Sequence, residues 1–222
     1  MKNNLFNAIA IFFSILGSFA VERFIQDINE KEQLQTLESN LLYELEQNYY
    51  SLLSLRGKLK SVISVSDSVT ANWSTVNAAK VKSFHQDNLY DVNNRIEFIL
   101  SRSFSFSPKN MYFNSLTNSG LILKIKRKEL RNEIESVGSL INQNYYGSNQ
   151  GISNDVMDWF KSKSKIERTL NNDIVFNKYK DFNLLQLLTI RRRNEIYKLY
   201  GVDNDIKFLK KLIEEVKSKG LF

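Results

Sequence analysis

The side chains that most often do chemistry are thinly supplied. The chain has 222 residues, with one His, His85, and no Cys. Thiolate metal sites and disulfides are therefore excluded. A nucleophilic serine would have only His85 as its imidazole base, and no G-x-S-x-G elbow is present. A bundle-type di-metal centre needs Glu-x-x-His pairs on facing helices, and none occurs. Glu44 and Glu46 stand two apart and so point to different helix faces. Glu129 and Glu133 share a face, but only the fold could bring His85 to them. The stretch Gly-Ser-Asn-Gln-Gly at 147–151 lacks the preceding strand and the following Lys-Ser/Thr of a phosphate loop. Asn72-Trp73-Ser74 matches the glycosylation acceptor pattern, which is frequent by chance. The expectation is no catalytic residue, no metal and no cofactor.

Charge is the next candidate. The net charge is +7. Residues 1–100 carry a balance of −2 and residues 101–222 a balance of +9. A basic half could meet anionic lipid or nucleic acid. The cations, however, alternate with Glu, as in KRKELRNE and KKLIEEVK, which is the pattern of solvated helix faces. No basic motif interleaved with aromatics is present. Arg191, Arg192 and Arg193 form the densest run. They spread over about 200° of a helix, so the candidate contact with an anionic surface competes with a plain solvated face.

The elements that must carry these residues are helical. There is one Pro, Pro108, and there are eight Gly, and both residues interrupt helix interiors. The expected class is all-α: an N-terminal transmembrane helix continuing into a long helix that packs in an extended bundle. Residues 5–21, LFNAIAIFFSILGSFAV, contain no charge and as a helix span about 26 Å, at the short end for a bilayer. A single-pass anchor over 1–25 is favoured. A signal peptide cleaved after Ser18-Phe19-Ala20 and a buried core helix are the alternatives. The sparse flanking Lys and Arg place the N-terminus in the cytoplasm of a bacterial inner membrane and the rest of the chain outside. Ala10, Ser14 and Ser18, with Gly17 beside them, form a small-residue face on which another membrane helix could pack, or are ordinary membrane-helix composition.

A spine helix follows over 26–65. Leu34, Leu37, Leu41, Leu45, Asn48, Leu52, Leu55, Leu59 and Val62 recur close to every 3.5 residues. This seam needs a partner, either the chain's own helices or a second copy. Asn48 would be a polar residue in the seam that fixes register, or the helix is rotated there and Tyr49 packs instead. Further helices are expected near 75–103, 109–119, 126–146, 152–170, 182–200 and 204–219, making 26–222 one bundle domain. Asp87, Asn88 or Asp91 could interrupt the first of these. Ser107 is the expected N-cap of the second, with Pro108 at its first position and Gly120 past its end. Gly201 should end the 182–200 helix, and Asp203 should cap the next.

One block has a family character. MYFNSLTNSGLILKIKRKELRNEIESV follows Pro108 closely, and an N-terminal apolar helix with a long acidic extension precedes it. Together they resemble an uncharacterised bacterial family, domain of unknown function 6090. The shared features are Tyr112-Phe113-Asn114-Ser115-Leu116, the Ser119-Gly120 turn, Ile125-Lys126, and Glu129-Leu130-Arg131. The likeness covers the anchor and about residues 100–140. The anchor's exit, ERFIQDINEKEQ, departs from the family's usual Asn-Trp or similar pair. The resemblance implies topology and no activity. The leading expectation is a membrane-anchored helical protein acting through protein contacts, with the bilayer and a protein or second copy as partners. The alternatives are a helical bundle that senses a small ligand and a binder of anionic lipid or nucleic acid. An anchored external domain disfavours nucleic acid.

Overall fold

The first 70 residues after Met1 meet no proline and only two glycines, Gly17 and Gly57, so nothing breaks helical hydrogen bonding. They form one helix, α1 (Lys2–Ala71), about 105 Å long at 1.5 Å per residue. The structure, a computed structural model, describes residues 2–85, 95–142 and 150–222. Among these there are eight α-helices, one 3-10 turn and no strand. Asp87, Asn88 and Asp91, proposed as a helix interruption, lie outside the described residues, as does most of the 147–151 loop.

α1 stops where its side chains turn back on the backbone. Thr70 Oγ1 donates to Ser66 O and Asn72 Nδ2 to Ser68 O, each at 2.8 Å. Lys180 Nζ then donates to Trp73 O at 2.8 Å, a cation at a helix C-terminus, where the dipole favours it. The helix therefore runs six residues beyond the expected end at 65. Next come α2 (Ala78–Phe84) and α3 (Ile96–Ser101), an extended stretch, and α4 (Met111–Asn118). A 3-10 turn at Leu121–Lys124 leads into α5 (Lys128–Asn142), α6 (Gln150–Glu167), α7 (Asn172–Tyr179) and α8 (Phe182–Lys219).

Three expectations about helix ends are corrected. Residues 107–109 stay extended and α4 starts at Met111, because its cap comes from across the molecule. Glu44 on α1 accepts the Tyr112 and Phe113 N–H groups at 2.9 and 3.0 Å. Gly201 does not end a helix: 182–219 is continuous. A mid-helix glycine costs about 1 kcal/mol, which is outweighed by burying Val202, Ile206 and Leu209 in the core. Asp203, free of capping, pairs instead with Arg56 at 2.7 Å. A helix not anticipated, α7, is capped by Asn171, whose side chain accepts from Asp173 N–H.

α8 runs back along α1. Glu46 meets Lys217 at 2.7 Å, Arg56 meets Asp203, and Asp67 meets Arg192, so the two helices are antiparallel. Their apolar stripes form two cores. One gathers Leu41 to Leu59 of α1, α4, α5 and Val202 to Val216 of α8, and Leu221 closes its end. The other gathers Val65 and Val69 with α2, α3, α6, α7 and the start of α8. Gly220 turns the chain after α8 at φ 68°, ψ 176°, a conformation open essentially to glycine alone.

Candidate functional site

Two features stand out from the packed bundle: a polar layer between the cores and an apolar rod outside them. The layer grows from the heptad rhythm of α8. Leu184, Leu188, Arg191, Glu195, Lys198, Val202, Ile206 and Leu209 share one inward stripe, and its middle third is charged. Arg191 and Glu195 are fully buried and Lys198 nearly so. Such burial is costly unless the charges find partners. Here the cations serve the non-helical stretch 102–109, whose carbonyls have no helix to bond. Arg191 Nη2 donates to Arg102 O and Lys198 Nζ to Phe104 O. Glu195 lies one turn from each cation. Burial pushes the Arg191 guanidinium down to about 10, while Glu195 pulls it back up. Burial lowers Lys198 as well, and Glu195 again opposes the shift.

The spine pins the other end of that stretch. Asn48 Nδ2 donates to Lys109 O and the Lys109 N–H donates to Asn48 Oδ1, both at 2.8 Å. The pair reproduces the double bond pattern between two strands. Asn48 is buried, so the rotated-helix reading is corrected: it does sit on the seam, but it binds backbone of its own chain. Leu41, Leu45, Leu52, Leu55 and Leu59 are buried in the core, and Leu34, Leu37 and Val62 are half-buried. The seam is thus covered from within the chain between Leu41 and Leu59, and is partly open at Leu34, Leu37 and Val62.

The arginine run does not form one surface. Arg191 is internal, Arg192 is half-buried against Asp67, and only Arg193 is exposed. An anionic surface contact through all three is therefore excluded by helix geometry. His85 ends α2, its N–H donating to Lys82 O at 3.2 Å. Glu133 is held by Lys211 on α8 at 2.5 Å, whereas half-buried His85 lines a small pocket with Lys58, Phe98 and Arg102. Among the described residues no group of His, Cys, Asp or Glu could hold a metal ion.

The rod is the N-terminal part of α1. Phe12, Phe19 and Phe24 are 60%, 63% and 66% exposed, and Phe13, Ile15, Leu16, Val21, Ile25 and Ile28 are exposed with them. These side chains point in all directions round the helix. Ser14, Gly17 and Ser18 are also exposed, Ser18 Oγ donating to Ser14 O at 2.9 Å. A side chain added at Gly17 would meet nothing. The side chain of Ala10 lies outside the described ones. Among the described residues no helix is long and apolar enough to cross a membrane. The side chains described in α1 begin at Phe12, ten residues before Glu22. The first seven residues of the uncharged run lie outside them.

Compared with family models, curated proteins and solved structures, the chain matches none.

Sequence reasoning missed Glu195 and Lys198. Their signal was present as a break in composition without a break in period. An apolar stripe at 184, 188, 202, 206 and 209 has charged residues at its intervening positions.

Proposed function

We propose that the chain is a single-pass membrane protein whose helical bundle lies outside the cytoplasm and acts through contacts with another protein. One observation carries the reading: an apolar rod, exposed on every side, is continuous with the bundle's spine, and among the described residues nothing covers it. A helix apolar all round belongs in a core or a bilayer, and the bundle's own core excludes this one. The uncharged run 5–21 is the corresponding sequence signal. A role through protein contacts is supported by the outer face of α8. There Ile190, Arg193, Ile196, Tyr197 and Tyr200 are exposed along one stripe, and Tyr and Arg are the residues most enriched at binding hot spots. The block resembling domain of unknown function 6090 is consistent with this topology and adds no activity.

The test is fractionation with an alkaline carbonate wash, together with a phosphatase reporter fused after Phe222. The protein should stay in the membrane pellet, with the reporter active outside. Placing Arg at Leu16, a cost of about 2.5–3.5 kcal/mol at mid-bilayer, should release a large fraction. A soluble protein with an intact N-terminus would overturn the reading.

A further inference from the structure

We propose that the cleft between α3, α6 and the start of α7 binds an anionic amphiphile, a phosphate or carboxylate on a short apolar body. The inference does not depend on the rod being in a bilayer. The cleft encloses about 730 Å³, within the usual range for small-ligand sites. Met157 and Phe160 contribute its apolar wall. Leu170 lines it too and is 96% exposed, the most exposed large apolar side chain among the described residues.

Four cations line the same space: Arg95, Lys161, Lys165 and Arg168. Two are already engaged. Arg95 pairs with buried Glu97, and Lys161 pairs with Asp158 at 2.8 Å. Among the described residues Lys165 and Arg168 have no acidic partner. The nearby carboxylates are occupied elsewhere, Glu167 by Lys178 and the Tyr179 hydroxyl, and Asp173 by Lys82. The cleft therefore keeps two uncompensated positive charges above an apolar wall.

A plain helix end accounts for part of this. Lys165 lies in the last turn of α6, where the dipole favours a cation. It does not account for Arg168. That residue has φ 55°, and the Thr169 N–H behind it closes the helix on Ser164 O at 3.2 Å. Glycine is the usual residue at such a position, and a longer side chain there is strained. A strained arginine and a fully exposed leucine at one lip are each unfavourable alone. An apolar body would cover Leu170, and an anionic head would engage the Arg168 guanidinium.

The experiment titrates hexyl phosphate into the purified full chain, in phosphatidylcholine nanodiscs if it fractionates with membranes and in buffer if it does not, with the empty medium subtracted. One molecule should bind per chain, and hexanol and inorganic phosphate should each bind far more weakly. The paired substitution Lys165→Gln with Arg168→Gln should raise Kd at least about tenfold, since charge-assisted bonds to the head are lost. Both positions are exposed, and an unchanged thermal melt would show that the variant folds. Equal binding of hexanol, or a variant Kd within twofold of the parent, would overturn the proposal. Competition with monomeric dihexanoylphosphatidylglycerol added from solution separates two sources of the same chemistry, because the cleft packs beside Val65 and Val69, too far along α1 for a bilayer around the rod to reach. Weakened binding of hexyl phosphate identifies a lipid as the occupant, and unchanged binding identifies a soluble one.

Discussion

Replacing Asn48 by Leu separates two accounts of the spine. On a leucine seam the polar residue costs stability, and Leu should raise the melting temperature. In the structure Asn48 makes two bonds of 2.8 Å to the Lys109 backbone. Each is worth about 0.5–1.5 kcal/mol net. Lys109 itself is exposed, so its freed groups recover some water and the full penalty for burial does not apply. Leu regains about 1 kcal/mol through extra apolar burial. At about 1 kcal/mol for each bond, the expected net loss is about 1 kcal/mol, or about 2–4 °C for a chain of this size. Asn48→Ala, which regains nothing, should lose about 2–3 kcal/mol. Circular-dichroism melts of the full chain measure both. Amide hydrogen exchange gives a local check, because the Lys109 N–H should exchange faster in the Leu variant. A melting temperature at or above the parent's for Asn48→Leu would refute the reasoning.

Glu44 should behave as a distant helix cap. Glu44→Ala should cost about 2–3 kcal/mol, since both N–H bonds are charge-assisted, and Glu44→Gln, which keeps one acceptor, about half of that in the same melts. In the polar layer, Arg191→Met alone should destabilise by about 3 kcal/mol, because buried Glu195 loses one of its two neighbouring cations. Adding Glu195→Met should recover most of the loss, and a double variant no more stable than the single would count against the layer as an electrostatic unit. Asp181 gives a pH test. Burial raises its pKa, but the Leu184 N–H, Lys163 and the Trp159 indole together hold it below its ordinary 3.8. A depressed folded value means that its stabilisation is present above 3.8 and is lost as the pH falls through the folded value. Asp181→Asn should therefore flatten the fall in melting temperature below about pH 4.

The all-helical class was legible because residue composition and periodicity act locally. The leucines of the spine were legible for the same reason, and five of them sit in the core. What could not be read were effects that act across the fold. The cap of α4 is Glu44, 68 residues away from Tyr112, so Ser107 and Pro108 looked like the start signal. Gly201 looked like a stop because propensity weighs it alone, whereas the structure weighs it against Val202 and Ile206 of the same helix, which are buried in the core. The spread of the arginine run over about 200° of helix is legible, but which of the three faces inward is not: helix rotation sends Arg191 inward, Arg192 to Asp67 and Arg193 to solvent. The cleft escaped notice because its cations come from α3 and from α6, and because nothing local marks Arg168 as left-handed.

The unbroken path of α1 from rod to bundle has a geometric consequence. Residues 22–32 are helical, so spacing and orientation are locked together there. Deleting one residue would draw the bundle about 1.5 Å toward the rod and also swing it by about 100°. Deleting seven would shorten the link by about 10 Å yet restore nearly the same heading. A series of deletions through this link would therefore give a periodic rather than a graded response from any partner that must meet both parts at once. Its phase would report which side of the bundle that partner touches.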